Sequence, residues 1–353
     1  MQTLKKLALR LAISLGTLLL LAIIGEAVTR SMEPGSFTLW DTRPYTPHET
    51  LRHVHIPGFE GRWDGSWYQI NSQGNRGPEL ELQDKVKEYR VVCLGDSCTF
   101  GKGVDEPDCW PRQLESLLQH EATQRGADWQ PKVANLGING FSGKSYKRMF
   151  EQRGKQLEPD LVVIGYNLND FPNAIRAVDV AVYGKRGLRQ AVPRGTRDFL
   201  GRFALYRYAR ATYYVMNQEK DWANAENFAK GAGDASLDSD VWIEQRDYLT
   251  GIRDEALATG AQVAVFLFPY ESQVYLDSYV ETPILRLSAM CAELEIPFVD
   301  LATKFRSEAR KTDPPAGLFL RGDRYHPNPH GYRIVAESVK DLAMDKGWLP
   351  NDN

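Results

Sequence analysis

The sequence predicts an α/β fold, a three-layer α/β/α sandwich with a central parallel sheet. Short, continuous apolar runs begin near Tyr89 and alternate with amphipathic segments. Unbroken apolar runs indicate strands buried on both faces, as in a parallel sheet covered by helices. The first run also ends in a polar turn at Ser97, where open sheets of this kind bind ligands. The predicted strands are Arg90–Leu94, Val133–Leu136, Leu161–Tyr166, Val263–Phe268 and Pro297–Val299.

Five amphipathic segments predict the helices that cover this sheet. Each has an apolar face to pack against the strands and a polar face for solvent. They are Trp110–His120, Lys144–Gln156, Val241–Ala258, Pro283–Leu294 and Gly331–Met344.

The connection between the third and fourth strands is unusually long, which is typical of a functional insertion. We therefore predict a main domain over residues 89–347 with an insertion at about 171–240. Residues 31–88 precede it as a small irregular or β extension, in which Trp67–Ile70 predicts a short strand. Residues 1–30 form a separate N-terminal segment.

That N-terminal segment is apolar. Lys5, Lys6 and Arg10 precede an uncharged run from Leu11 to Ile24. We favour an uncleaved membrane anchor, with a cleaved signal peptide and a buried soluble helix as alternatives. Basic residues keep the N-terminal end cytoplasmic, so the expected location is the inner membrane with the main domain in the periplasm or outside the cell.

Composition narrows the class of protein. The 353 residues are 42% hydrophobic and 25% charged, which is typical of a globular protein and argues against disorder. The net charge of -3 gives no indication of a nucleic-acid partner. The four cysteines contain no Cys-x-x-Cys pair, which argues against a zinc or thioredoxin-like site.

Ser97 is the first candidate functional residue. It follows a buried strand, and the Gly95-Asp96-Ser97 turn leaves its backbone N–H free to face a ligand. Asp323 and His326 lie three residues apart near the C-terminus, and such a pair can complete a hydrolase triad. Taken singly, these residues are also consistent with a helix cap and a surface turn.

Together these motifs resemble the SGNH (GDSL-type) hydrolase family over roughly residues 89–344, apart from the insertion. Four short blocks match in order. The resemblance implies a flavodoxin-like SGNH hydrolase fold. The blocks are Gly95-Asp96-Ser97, Asn135-Leu136-Gly137-Ile138-Asn139-Gly140, Asn169-Asp170 and Asp323-Arg324-Tyr325-His326.

The resemblance implies a role for each matching residue. Ser97 is the expected nucleophile, His326 its general base, and Asp323 the residue that orients the imidazole, in part together with a backbone carbonyl. The expected oxyanion hole consists of the Ser97 N–H, the Gly140 N–H and the Asn169 amide. Asn167 stands where the family usually has glycine, so it is a second candidate for the role of Asn169.

The expected activity is that of a serine esterase that cleaves an acyl, preferably O-acetyl, ester on a cell-surface glycan through an acyl-Ser97 intermediate. No metal or organic cofactor is required. The alternatives are an O-acyltransferase acting on a polysaccharide, a lysophospholipase or thioesterase, and a non-catalytic glycan-binding protein. The expected partners are therefore an acylated glycan or lipid and, through the N-terminal helix, a membrane; the sequence does not fix the oligomeric state.

Several residues outside the four blocks carry further hypotheses. His53 and His55 would lie on one face of a strand, where a metal site is conceivable, although two surface histidines are the favoured interpretation. His330 is interpreted as a surface residue. Cys98 and Cys109 either form a disulfide that would pin the Ser97 segment or remain separate thiols.

The first half of the insertion mixes aromatic residues with an excess of basic ones. We expect it either to cover the active-site face and bind an anionic partner or to pack as a solvated excursion at the sheet edge. Its basic residues are Arg176, Lys185, Arg186, Arg189, Arg194, Arg197, Arg202, Arg207 and Arg210.

Overall fold

The structure is a computed structural model that describes residues 2–32, 44–63, 65–83, 85–170, 196, 199–216 and 240–350. Within these residues, nine strands fall in three sheets. Two are antiparallel hairpins in the extension, and the third is a five-stranded parallel sheet. The strands are β1 (Tyr45–His48), β2 (Arg52–His55), β3 (Glu60–Trp63), β4 (Ser66–Gln69), β5 (Glu88–Gly95), β6 (Gln130–Asn135), β7 (Leu161–Asn167), β8 (Gln262–Phe268) and β9 (Phe298–Asp300).

The helices of the described residues lie before, between and after these strands. Short 3₁₀ and π turns extend some of them, notably at residues 150–157. The helices are α1 (Gln2–Ser31), α2 (Ser97–Phe100), α3 (Trp110–Arg125), α4 (Gly143–Met149), α5 (Ala204–Met216), α6 (Asp240–Leu257), α7 (Glu271–Tyr275), α8 (Thr282–Glu293), α9 (Leu301–Ala309) and α10 (Pro329–Asp345).

The central sheet has the order β6-β5-β7-β8-β9, and every pair in it is parallel. Successive side chains of a strand point to opposite faces. On β5, accordingly, Val92 and Leu94 belong to one buried cluster, and Val91 and Cys93 to the other. Residues of α4, α6 and α8 complete the first cluster, and residues of α3, α9 and α10 complete the second. The predicted three-layer sandwich is thus confirmed.

The strand order determines where a ligand can bind. In chain order the five strands are arranged 2-1-3-4-5, so the winding direction reverses between β5 and its neighbours β6 and β7. Open parallel sheets bind ligands at the carboxyl ends of the strands beside such a reversal. The Gly95-Asp96-Ser97 turn lies at this point because it directly follows β5.

The extension is more regular than the sequence predicts. The predicted strand Trp67–Ile70 corresponds to β4, but β1, β2 and β3 were not predicted. Arg76 connects the extension to the main domain, because its backbone N–H donates to the Asn135 carbonyl at the end of β6 (3.2 Å). The boundaries proposed for the extension and the main domain remain predictions.

The N-terminal helix α1 is long and apolar enough, from Lys5 to Ser31, to cross a membrane. Near its end it contacts α5 of the insertion. The Glu26 carboxylate accepts hydrogen bonds from the backbone N–H groups of Ala204 and Leu205 (both 2.9 Å), which have no carbonyl acceptor within α5. Arg30 donates to the Arg202 carbonyl (2.8 Å). The apolar segment and the insertion are therefore connected by polar contacts.

Candidate active site

Ser97 is the first residue of α2, a single helical turn that the sequence did not predict. Asp96 caps this turn, with Oδ1 accepting from the Cys98 N–H at 2.8 Å. The cap is therefore Asp96, and the Ser97 side chain remains available for chemistry. The backbone N–H of Ser97 lies at the start of a helix, where N–H groups have no intrahelical acceptor. The residue is almost buried, with 7% of its surface exposed.

The structure brings Ser97, His326 and Asp323 together. His326 Nε2 lies 2.7 Å from Ser97 Oγ, and His326 Nδ1 lies 2.7 Å from Asp323 Oδ2. A carboxylate only accepts, so Nδ1 carries the hydrogen and Nε2 is left with a lone pair toward the serine hydroxyl. In this tautomer Ser97 O–H donates to Nε2, as proton transfer from Ser97 to the imidazole requires.

The loop that carries His326 is held rigidly. Asp323 Oδ1 accepts from the N–H groups of Tyr325 and His326, both at 3.1 Å. The His326 carbonyl accepts from the Leu320 N–H at 2.9 Å. Asn328 then caps α10 by accepting from the Gly331 N–H at 3.0 Å. These bonds hold the backbone on both sides of His326.

Asp323 is ionised in this arrangement. Partial burial alone would raise its pKa, but the charge of His326, the hydrogen bond from that ring and the charge of Lys102 outweigh burial. The pKa of Asp323 is therefore held well below its usual value. Among the described residues, its Oδ2 is the hydrogen-bond partner of His326 Nδ1, so the carbonyl that the family resemblance suggested as a second partner is not found.

The loop after β6 approaches the Gly95-Asp96-Ser97 turn closely. The Ile138 N–H donates to the Gly95 carbonyl at 3.1 Å. A Cβ at Gly137 would collide with the backbone of Thr99 and Phe100, so only glycine permits this approach. Gly140, the predicted oxyanion donor, is exposed and follows in the same loop with φ of +76°.

The two candidate asparagines lie at the end of β7. The backbone of Asn169 is in the 3₁₀ turn Leu168–Asp170, and its side chain lies outside the described part of the structure. Asn167 is fully buried, and its Nδ2 donates to Cys98 Sγ at 3.4 Å. Its backbone N–H donates to Asp170 Oδ2 at 3.0 Å. The oxyanion role of Asn169 remains a prediction.

The disulfide suggested for Cys98 and Cys109 is not formed. Both are buried free thiols. Cys98 Sγ donates to the Tyr325 carbonyl (3.5 Å), whereas Cys109 Sγ donates to the Glu106 carbonyl (3.1 Å). Each thiol contacts a different loop, so the alternative of two separate thiols is the one found.

The two extension histidines are not surface residues, contrary to the favoured interpretation. His55 is buried, and its Nδ1 donates to the Gly74 carbonyl at 3.2 Å. His53 is half-buried, and both imidazoles lie 5.2 Å from the Tyr45 ring, so they share a face as predicted. Within the described residues, no three histidine, cysteine or carboxylate side chains are grouped to hold a metal ion.

His330 agrees with its surface assignment. It is exposed, and its Nε2 lies 3.4 Å from Glu308 Oε1.

Arg76 and Arg321 contact the site region without having been predicted. Arg76 donates to the carbonyls of Phe100, Gly101 and Val104, and so stabilises the chain at the end of α2, just beyond Ser97. Arg321 precedes the loop of Asp323 and His326 and stacks over the Tyr208 ring of α5, 4.8 Å from its centroid. No local sequence pattern marks either residue, since their partners lie far away in the chain.

Comparison with known proteins identifies the family of this chain. The profile of the GDSL-like Lipase/Acylhydrolase family matches residues 93–334. The chain belongs to this family. It is an SGNH serine hydrolase that acts on acyl esters.

Three solved structures are among those similar to this chain, and no curated protein sequence matches it. TesA shares 15% identity, with a TM-score of 0.43 over 74% of this chain and 99% of that one. A putative GDSL-like lipase from Parabacteroides merdae shares 14%, with a TM-score of 0.43 over 77% and 100%. A catalytic mutant of an acetylxylan esterase from Geobacillus stearothermophilus shares 16%, with a TM-score of 0.44 over 74% and 97%.

Proposed function

We propose that the protein is a membrane-anchored, extracytoplasmic serine esterase that works through an acyl-Ser97 intermediate. The hydrogen-bonded series Ser97–His326–Asp323 carries the proposal, since it has the distances and the tautomer that nucleophilic catalysis needs.

In the first half-reaction, Ser97 Oγ attacks the ester carbonyl carbon while its proton passes to His326 Nε2. Asp323 stabilises the imidazolium that forms. The N–H groups of Ser97 and Gly140 and the amide of Asn169 would bind the tetrahedral oxyanion. Collapse expels the alcohol, which takes the proton from His326. Water then attacks the acyl-enzyme with His326 again as the base, releasing the acid and restoring Ser97.

The substrate we propose is an O-acyl, preferably O-acetyl, group on a cell-surface glycan. An apolar N-terminal helix with its basic residues on the cytoplasmic side would place the main domain where such glycans occur. In an O-acyltransferase a sugar hydroxyl would replace water in the second half-reaction. Adding a glycan acceptor therefore distinguishes the two: acid release indicates hydrolysis, and new glycan ester indicates transfer.

Two contacts of α5 favour a second candidate, an ester of a membrane lipid. Helix α5 touches both the end of the apolar helix, through Glu26, and the catalytic loop, through Arg321, whose guanidinium also donates to Thr212 Oγ1 at 3.3 Å. This connection would keep the site close to a bilayer. The insertion arginines expected to bind an anionic partner, Arg186, Arg189 and Arg194, lie outside the described residues.

Labelling with a fluorophosphonate, which reacts with activated serines, tests the proposal. We expect the wild type to be labelled, and Ser97→Ala and His326→Ala to lose both labelling and hydrolysis of a short-chain aryl ester by several powers of ten. His330→Ala is a matched control, because this exposed histidine should be dispensable. An unreactive wild type would favour a non-catalytic glycan-binding protein.

A further inference from the structure

The extension contacts the predicted oxyanion loop through a hydrogen bond of His53. His53 Nε2 lies 2.9 Å from the backbone carbonyl oxygen of Asn139. A carbonyl only accepts, so Nε2 carries the hydrogen and donates it. Residue 53 lies outside the stretch that matches the family profile, so this contact is an addition to the family domain.

The acceptor belongs to the peptide unit that ends in the Gly140 N–H. A trans peptide directs its C=O and its N–H to opposite sides. A donor fixed on the Asn139 carbonyl therefore also fixes the direction of the Gly140 N–H. Withdrawing electron density from that carbonyl further polarises the N–H.

The backbone around this peptide forms a type II turn. The Phe141 N–H donates to the Ile138 carbonyl at 3.1 Å, which closes a four-residue turn with Asn139 and Gly140 at its centre. Gly140 has φ of +76°, whereas φ of Asn139 is not positive. This combination matches type II and excludes type I, in which φ of the third residue, here Gly140, would be about −90°.

Types I and II differ by reversal of the central peptide. The turn type therefore decides whether the Gly140 N–H points to one side of the loop or the other. Gly140 is exposed, and nothing lies within 4 Å of a Cβ built on it, so its own surroundings do little to hold the peptide. The hydrogen bond from His53 favours type II, since reversal would remove the carbonyl from Nε2.

His53 is itself held in place. Its ring packs edge-on against Tyr45 (5.2 Å) and Phe141 (5.4 Å), and it pairs with Pro47 across the hairpin. The hairpin is fastened to the main domain through Thr50, whose carbonyl accepts from Arg148 at 2.8 Å. The donor is thus positioned by packing on both sides.

We propose that His53 is a positioning residue for ester cleavage, holding the Asn139–Gly140 peptide so that the Gly140 N–H faces the oxyanion. This inference rests on the proposed function, in which Gly140 is an oxyanion donor. Loss of one such donor typically lowers turnover by about 10²- to 10³-fold. If the Gly140 N–H remains but loses its orientation, turnover should fall by less than this.

Kinetics of three variants on a short-chain aryl ester test the inference. His53→Leu retains bulk without a donor and should lower kcat by about 10- to 100-fold with KM within about twofold. His53→Gln places an amide N–H near the position of Nε2 and should recover most of the loss. Glu49→Gln alters an exposed residue of the same hairpin without touching Asn139 and should leave kcat unchanged.

If His53→Leu does not fold, His53→Gln is compared with His53→Asn. The asparagine side chain is one methylene too short to reach the Asn139 carbonyl, so only this variant should lose turnover. The positioning role would be overturned if kcat fell equally in His53→Leu and His53→Gln, or equally in His53→Gln and His53→Asn. An unchanged kcat in His53→Leu would also overturn it. A wild type that no fluorophosphonate labels overturns the proposed function and the inference together. A labelled wild type with unaffected His53 variants overturns the inference alone.

Discussion

Replacing Asp323 by asparagine should inactivate the enzyme because of how its two oxygens are used. Oδ1 accepts two backbone N–H groups, from Tyr325 and His326, while Oδ2 accepts one, from His326 Nδ1. Asparagine offers one oxygen and one NH₂ group. Directing the oxygen to the backbone preserves two bonds but turns the NH₂ toward Nδ1. The imidazole then carries its hydrogen on Nε2 and cannot accept the Ser97 proton.

The opposite orientation is the productive one, and the structure makes it costly. In this orientation the two hydrogen bonds from the Tyr325 and His326 N–H groups, about 1 kcal/mol each, are lost. Both N–H groups then face an NH₂, so the orientation is less stable by about 3 kcal/mol in total. Roughly one molecule in 10² would then have the productive tautomer, since each 1.4 kcal/mol is a factor of ten. Loss of the carboxylate charge beside the imidazolium adds to this, so kcat/KM should fall by about 10³- to 10⁴-fold.

The assay is aryl-ester hydrolysis by Asp323→Asn and Asp323→Ala, with thermal unfolding as a check on folding. The alanine variant does not enforce the wrong tautomer, so the nearly isosteric asparagine should be no more active than alanine. Its melting temperature should stay near that of the wild type, because the Oδ1 bonds persist. An asparagine variant with more than a tenth of wild-type activity, or tenfold more active than alanine, would refute the reasoning.

Three further predictions concern the oxyanion site, acid stability and the thiols. Asn169→Ala should lower kcat by about 10²- to 10³-fold with little change in KM, measured on the same ester; a larger loss in Asn167→Ala would transfer the role to that residue. Burial lowers the pKa of His55 to about 3, whereas the unfolded chain takes up that proton near 6.5. The folded state therefore loses up to a few kcal/mol as pH falls from about 6.5 to 3. Denaturant titrations should show this slope reduced in His55→Gln, and an equal slope in both proteins would contradict it. Burial raises the pKa of the Cys98 and Cys109 thiols, so both should be alkylated slowly in the native protein. In the unfolded protein both should be alkylated completely without reductant. A linked pair of peptides in non-reducing peptide mapping would contradict the free thiols.

The sequence by itself determined the layers of the fold. The inner strands of the central sheet, β5, β7 and β8, contain continuous apolar runs because they are buried on both faces, and a few consecutive residues are enough to show this property. The amphipathic helices are recognisable for the same reason. Elements with little local signal were missed: α9 is a nine-residue helix directly after β9, and β1 to β3 are four-residue strands in a Pro- and Gly-rich segment.

The sequence also indicated Ser97, Asp323 and His326 as candidates, but only tertiary structure decided their geometry. Ser97 and His326 are 229 positions apart, and the order of the strands brings them within 2.7 Å. The same applies to His53 on the Asn139 carbonyl and to the separate partners of Cys98 and Cys109. Such contacts join residues distant in the chain, and they depend on how whole elements pack. Local composition and spacing carry information about burial and turns, but not about which distant atom completes a hydrogen bond.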